Sequence, residues 1–376
     1  MAEVRTKELD GLRGIAVIMV MALHIFKRAN EFTQHPTLYF ITSLTSIGWV
    51  GVDIFFVLSG FLITSILLRT KEKENYFKNF YMRRILRIFP LYYICIGIVI
   101  TFIPILDPGF SSQIPRVLPL LILYQQNWIS IFGSVWLTQY LTVTWSLAIE
   151  EQFYLIWPAI VYFAQKNLLI KISIGVIILS VLVRILGVLF WNNTNQITVF
   201  FFYNTFTRFE QLVFGALLAI AFTFADWKER LRVISFPVFL VSFSTFIALC
   251  IVALPNIPHP AYGNIPLTLA GYTLSSIFSA ALIAFLLINY KKTILHKFFQ
   301  TNVLVFFGIH SYAMYLLHLP IALILLDALW HTEMRGWKAY FAYIILSYSI
   351  TAVISFLTWH LLEKHMLNLK RYFEYS

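Results

Sequence analysis

Arg13 and His24 stand eleven positions apart in the otherwise apolar stretch "LDGLRGIAVIMVMALHIF". At about 100° per residue this spacing is three full helical turns, so both side chains share one helix face, roughly 16 Å apart along its axis. Ionisable residues are expensive inside a membrane span and tend to face a bundle interior. An imidazole ordinarily titrates near neutral pH and suits general-base work. A guanidinium fork suits phosphate. Taken singly, Arg13 and His24 read equally well as anchors that snorkel to opposite headgroup layers. Their common face, with Asp10 on the same turn as Arg13, favours the wall of a polar channel.

Further groups repeat the pattern. "GWVGVDIFFVLSGFLITSILL" carries Asp53, with Ser59 and Gly60 further along. Gly60 reads as a packing notch, since small residues let membrane helices approach closely. Asp53 would orient His24 or pair with an arginine. In "FYMRRILRIFPLYY", Arg84 and Arg87 share a helix face, as do Arg83 and Arg87. A basic run beside a span is usually a topology anchor, and the alternative here is a phosphate site. "TVTWSLAIEEQFYLIWP" holds Glu150 and Glu151, which point about 100° apart on a helix and so cannot form a facing dyad. They either cap a helix N-terminus or divide between interior and interface. Arg208 and Glu210 lie in "TRFEQLVFGALLA", and His310, Tyr312, Tyr315 and His318 in "FGIHSYAMYLLHLPI".

These residues sit in elements that composition defines sharply. Of the 376 residues, 60% are hydrophobic and 12% charged, about half the charged share of a soluble domain. Apolar runs of spanning length recur throughout. The expected fold is an all-α integral membrane protein, a polytopic helix bundle formed as a single domain over 1–376. Ten spans are expected, at about 9–26, 48–68, 88–106, 146–164, 171–190, 205–224, 233–253, 264–289, 302–326 and 339–361. Segment 116–145 is apolar but broken by Pro119 and Gly133, and is expected to re-enter the membrane or lie in its interface.

With the N-terminus inside, the cytoplasmic segments hold 20 of the 28 Lys and Arg residues, and the outer segments five. That asymmetry places both termini in the cytoplasm and requires an even number of spans. The outer loops "WNNTNQ" and "LPNIPHPAYGN" are uncharged, and Trp49, Trp128, Trp136, Trp145, Trp191, Trp330 and Trp337 fall on the outer side as interface anchors. The net charge of +11 lies in short loops and leaves no nucleic-acid face. Cys95 and Cys250 lie in apolar runs with no metal-binding spacing, so core or lipid-facing positions are expected and no metal. Glu3, Glu8 and Asp10 interrupt the basic start and no small-residue cleavage site follows, so the first segment is expected to remain in the mature chain.

Six stretches, "ELDGLRGIAVIMVMALHIF", "GWVGVDIFFVLSGFLIT", "FYMRRILRIFPLYY", "TWSLAIEEQFYLIWP", "TRFEQLVFGALLA" and "FGIHSYAMYLLHLPI", occur in the order in which the acyltransferase-3 family carries them. The chain resembles that family of integral membrane acyltransferases from about residue 7 to 320. The resemblance implies transfer of an acyl group, usually acetyl from acetyl-CoA, to a hydroxyl of a glycan or glycolipid, such as an envelope polysaccharide or lipopolysaccharide, in a bacterial inner membrane. The family's Arg-x10-His pair maps onto Arg13 and His24, its Arg-x-x-Arg onto Arg84 and Arg87, and its acidic position onto Glu150. Asp53, Ser59, Tyr312 and His318 also occupy motif positions. Where many members carry Glu-x-Pro near the last span, "LLEKHMLNLK" has Glu363 without the proline. Some members append a soluble hydrolase-like domain; this chain is expected to act alone.

The implied scheme holds the acyl-CoA phosphates on Arg13, Arg84 and Arg87. The pantetheine arm runs along the first span, and His24 acts as base or acyl relay, with Asp53 or Glu150 setting its tautomer. Tyr312 or an arginine stabilises the oxyanion, and Ser59, Glu151, Arg208 and His318 contact substrate. The competing class is a secondary transporter or flippase of a glycan or lipid-linked precursor, which also needs charges in its spans. A cytoplasmic arginine patch paired with an aligned histidine distinguishes the two, because a transporter needs no CoA site.

Overall fold

The structure, a computed structural model, describes residues 6–33, 35–132, 139–190, 194–253, 264–289 and 293–375. In chain order the helices are α1 (Lys7–Ala29), α2 (Pro36–Thr45), α3 (Val50–Thr70), α4 (Tyr76–Leu106), α5 (Pro108–Ser111) and α6 (Ile114–Ile122). Next come α7 (Ile129–Phe132), α8 (Trp145–Phe163), α9 (Lys166–Phe190), α10 (Thr194–Tyr203), α11 (Thr205–Ala221) and α12 (Ala225–Ala253). The last are α13 (Tyr272–Ile288), α14 (Ile294–Phe299), α15 (Asn302–Ile309), α16 (Ser311–Trp330), α17 (Gly336–Thr358) and α18 (Lys364–Asn368). No strand occurs among the described residues, and the protein is an all-α polytopic membrane protein.

Among the described residues, eight helical stretches are long and apolar enough to cross a membrane: Lys7–Phe32, Pro36–Thr70, Tyr76–Ile105, Lys166–Phe190, Ala225–Ala253, Leu267–Ile288, Ser311–Trp330 and Gly336–Phe373. Each overlaps an expected span. The other two expected spans are helical but shorter and more polar. α8 carries Glu150 and Glu151, and α11 has 17 residues that include Arg208 and Glu210. Most of α11 is buried, 13 of its 17 residues, so protein more than lipid surrounds it and hydropathy understates its depth. The expected span 302–326 divides at His310 into α15 and α16. The basic approach to the third span is itself helical, since α4 runs back to Tyr76. Segment 116–145 contains short helices and turns and, among the described residues, nothing long enough to cross; residues 133–138 lie outside them. The uncharged loop "LPNIPHPAYGN" also falls almost entirely outside the described residues, as do the first three residues of "WNNTNQ".

The chain divides into two compact units. The first comprises Met1–Met19, Trp49–Lys71 and Ile149–Ile309. Its centre is the crossing of α3 and α11. A Cβ on Gly60 would fall on the Leu212 carbonyl, and one on Gly215 would fall on the Val57 carbonyl, so the two backbones touch where each helix has glycine. The start of α1 approaches α14 and α15 in the same way, through Gly11 against Phe299, Gly14 against Leu304 and Gly308 against Asp10. α9 and α12 expose Leu, Ile, Val and Phe side chains outward, as lipid-facing helices do. Trp49, expected as an interface anchor, is instead packed against Phe246 and Tyr272. Gly60→Leu should prevent the α3–α11 crossing from closing, because backbone rather than a yielding side chain occupies the space. The expected result is a sharp loss of folded protein on size-exclusion chromatography in detergent, where Gly97→Leu, with open space at its Cβ, elutes normally.

The second unit comprises Val20–Gly48, Glu72–Ala148 and His310–Ser376. α16 packs on α17, and the chain after α17 folds back along the start of α4. There Arg83 donates to the Lys370 carbonyl at 3.3 Å, and Asn79 to the Glu374 carbonyl at 2.9 Å. Further along α4, Tyr92 donates to the Leu121 carbonyl (2.9 Å) and Tyr93 to the Ile122 carbonyl (3.0 Å), so two tyrosines satisfy the carbonyl end of α6. The chain then turns through Tyr124, whose φ of 52° is left-handed.

Candidate active site

Within the second unit His24 lies against His318. Their rings are 5.1 Å apart between centroids, and His24 Nδ1 is 3.2 Å from His318 Nε2. The other nitrogen of His318, Nδ1, lies 2.8 Å from the Tyr315 carbonyl and 3.1 Å from that of Met314. Carbonyl oxygens only accept, so Nδ1 of a neutral His318 carries the proton and its Nε2 is an acceptor. The proton of neutral His24 therefore sits on Nδ1, shared between His318 Nε2 and the Val20 carbonyl at 2.9 Å. This leaves the lone pair of His24 on Nε2, the arrangement a general base requires.

His318 is fully buried. Within this unit the group that faces His24 Nδ1 is the Nε2 of His318. The Tyr312 hydroxyl donates to the Ile88 carbonyl at 2.6 Å, tying α16 to α4. One turn on, the Tyr315 ring lies 6.0 Å from His318, and its hydroxyl meets Ser146 Oγ at 2.5 Å and the Val143 carbonyl at 3.0 Å. Sequence reasoning had not combined Ser146 with Tyr315, because the two lie 169 positions apart.

The arginine group lies at the start of α4 in the same unit. Arg83 is engaged by the main chain of 370–373 and by the Tyr375 ring. Arg84 stands over Phe80, and its Nε has no hydrogen-bond partner among the described residues. Arg87 is close enough to Glu363 for Coulombic attraction, and Glu363 is buried in the wide helical turn Trp359–Glu363 that follows α17. The glutamate without its proline therefore belongs to the surroundings of Arg87.

In the first unit, Arg13 pairs with Asp10 at 3.5 Å, one turn along α1, which gives Asp10 the partner that sequence spacing left open. Ser59 is hydrogen-bonded to Tyr154, and Glu150 and Glu151 are half-buried on α8. Asp53 forms an ion pair with Arg208, and Ser275 donates to its other oxygen, so its carboxylate is committed within this unit. Arg208 is correspondingly held by protein rather than open to substrate. A second pair flanks the first: Arg184 grips Glu210 with two bonds of 2.6 and 3.0 Å and also donates to Thr273 at 2.8 Å. Both guanidinium carbons lie over the Tyr272 ring, at 4.5 Å for Arg208 and 5.5 Å for Arg184. All four charged side chains have zero exposure and their formal charges cancel. Arg184 of α9 thus takes its partner from α11, 26 residues on.

A family model described as an acyltransferase domain matches residues 6–360. The chain belongs to the acyltransferase-3 family. Like the rest of this acyltransferase-3 chain's motifs, the Arg13–His24 helix and the His318 helix fall inside the matched residues. The peptidoglycan O-acetyltransferase of Listeria monocytogenes is 33% identical over 369 residues, covering 94% of this chain and 54% of its own. A putative peptidoglycan O-acetyltransferase of Bacillus subtilis is 29% identical over 370 residues, covering 95% and 54%. A putative O-acetyltransferase of Staphylococcus aureus is 29% identical over 326 residues, covering 83% and 50%. The chain thus spans about half the length of the curated relatives it matches. No solved structure matches it.

Proposed function

We propose that the protein is a membrane O-acetyltransferase of a bacterial cell membrane, moving an acetyl group from cytoplasmic acetyl-CoA to a hydroxyl of an envelope glycan. The names of its relatives support peptidoglycan as the acceptor class. The observation that carries the reading is the His24–His318 pair, which leaves the lone pair of His24 on Nε2 in the helix that also bears Arg13. Both termini lie in the cytoplasm, as the distribution of Lys and Arg supports.

The nucleotide phosphates rest on Arg84 and Arg87, and the pantetheine arm reaches His24 on α1. His24 Nε2 takes the proton of the acceptor hydroxyl as that oxygen attacks the thioester carbonyl. The carbon–sulfur bond then breaks, and the CoA sulfur recovers the proton from His24, so that an ester and free CoA are formed. Ser59, hydrogen-bonded to Tyr154, and the half-buried Glu150 and Glu151 of α8 are the further candidates for contact with a substrate.

The test is transfer of radiolabelled acetyl from acetyl-CoA to peptidoglycan fragments by the protein purified in detergent or reconstituted in vesicles. No transfer by the wild-type protein, together with acceptor transport into vesicles, would establish the transporter reading instead. Arg84→Ala should raise KM for acetyl-CoA about 10-fold or more, with kcat little changed, because a charge-assisted phosphate contact is made in ground and transition states alike. The increase should shrink at high salt.

A further inference from the structure

His24, Arg28 and Glu31 follow one another at intervals of four and three residues, the spacing of a single helix face. α1 runs to Ala29, so Arg28 stands one turn, about 6 Å, beyond the base, and Glu31 lies in the tight turn Asn30–Phe32 that continues the helix. This strip is accessible. His24 is half-buried, and the Arg28 and Glu31 side chains are 34% and 43% exposed.

Two further segments of the second unit close on it. Arg28 donates to Glu31 at 3.1 Å and to Gln139 at 3.3 Å, which fastens the chain before α8 to the end of α1. The hydroxyl of Tyr140, the next residue, lies within Coulombic reach of both Arg28 and Asp327 of α16. The end of α16 is tied in by Phe32, whose ring lies 6.0 Å from that of Trp330. The Arg335 guanidinium stands 5.2 Å from the Trp330 ring centre and donates to the Trp330 carbonyl, yet 46% of this tryptophan remains exposed. An exposed indole is thus held beside the turn that carries Glu31.

The carboxylate and the amide oxygen accept hydrogen bonds and the guanidinium donates them, and their mutual contacts order all three before a ligand arrives. The charges of Arg28 and Glu31 cancel, so a neutral ligand suits the pair better than an ion. The indole adds an apolar face with a polar edge. A sugar ring carries the complementary features, hydroxyls around its edge and C–H groups on its faces.

We propose that this rim binds the carbohydrate ring of the acceptor. Trp330 stacks on a sugar face, and Arg28, Glu31 and Gln139 bond its hydroxyls, so that a further hydroxyl is turned toward His24 one turn back along α1. On the distribution of Lys and Arg this end of α1 is the outer one, the side on which an envelope glycan lies. The inference rests on the acetyl-transfer reading for the role of its ligand as acceptor.

The experiment uses the full chain in detergent. Peptidoglycan glycan strands freed of their peptides are the sugar probe, and the isolated stem peptide is the comparison. Binding is measured by calorimetry, and KM for the strands and for acetyl-CoA by transfer of radiolabelled acetyl. Trp330→Leu should weaken strand binding and raise KM for the strands about 10-fold, with KM for acetyl-CoA unchanged. Trp330→Tyr restores a ring and should recover most of that loss. Glu31→Gln, an exposed change of nearly equal shape, should raise the same KM about 3- to 10-fold and serves should the leucine variant not fold. Unchanged strand binding in the folded variants would overturn the proposal. So would a wild-type protein that binds the stem peptide but not the strands. A tyrosine variant as impaired as the leucine one, with a lowered melting temperature, would also overturn it and make Trp330 a packing residue. A wild-type protein that binds the strands through Trp330 and Glu31 yet transfers no acetyl group keeps the subsite and loses the proposed function. Acetyl transfer that neither variant alters keeps the function and loses the subsite.

Discussion

His24→Ala is expected to abolish acetyl transfer while the protein remains folded in the membrane. General-base catalysis by a positioned side chain contributes about 10²- to 10⁴-fold. The Tyr312 hydroxyl is engaged by a main-chain carbonyl. His318→Phe removes the acceptor from the Nδ1 proton but leaves the Val20 carbonyl, so the tautomer is held less firmly. A smaller fall is expected there, about 10- to 100-fold in kcat with both KM values near wild type, as for a residue that orients a catalytic base. The rates are measured with radiolabelled acetyl-CoA, and folding by the elution profile in detergent. Full activity in His24→Ala would sink the mechanism. Equal, total loss in both variants would mean that the imidazoles act as a single unit.

The second large effect is on stability. Arg208→Ala should destabilise the first unit by about 3–5 kcal/mol, because it leaves the buried Asp53 carboxylate without its cation. The double variant Asp53→Leu/Arg208→Met removes both charges together and should recover most of the loss, since a well-packed apolar pair is often no worse than a buried ion pair. Thermal melting in detergent measures both. Acetyl transfer by the same double variant separates two roles for Asp53. Recovered activity identifies Asp53 as a structural partner of Arg208, and a stable but inactive double variant restores it to the chemistry. Coupling to the Arg184–Glu210 pair is expected, because both guanidinium groups share the Tyr272 ring.

The residues of the proposed base and phosphate site were legible because helical spacing depends only on the chain. Arg13 and His24 fall on one continuous helix, and Arg84 and Arg87 on another, as the count of residues per turn requires. The partners were not legible. His318 is 294 positions from His24, and Asp53 is 155 from Arg208. Nothing local distinguishes a histidine that meets another histidine from one that meets a carboxylate. Asp53 shows the consequence: a carboxylate in a span must find a cation, but spacing alone left His24 and several arginines as candidates.

Hydropathy alone determined that the chain is a helical membrane protein, because a bilayer admits backbone only when its polar groups are satisfied within helices or closed barrels. It also located the apolar helices that face lipid, such as α9 and α12. Tertiary structure decided the rest. α11 is short and charged, yet it lies at the centre of its unit because α3 and α13 supply counter-charge and hydroxyls across the bundle. His310 divides one expected span into two helices. The tautomer of His24 follows from carbonyl oxygens on a second helix. Each of these rests on groups distant in sequence whose pairing lowers the energy only after folding has excluded lipid and water from around them.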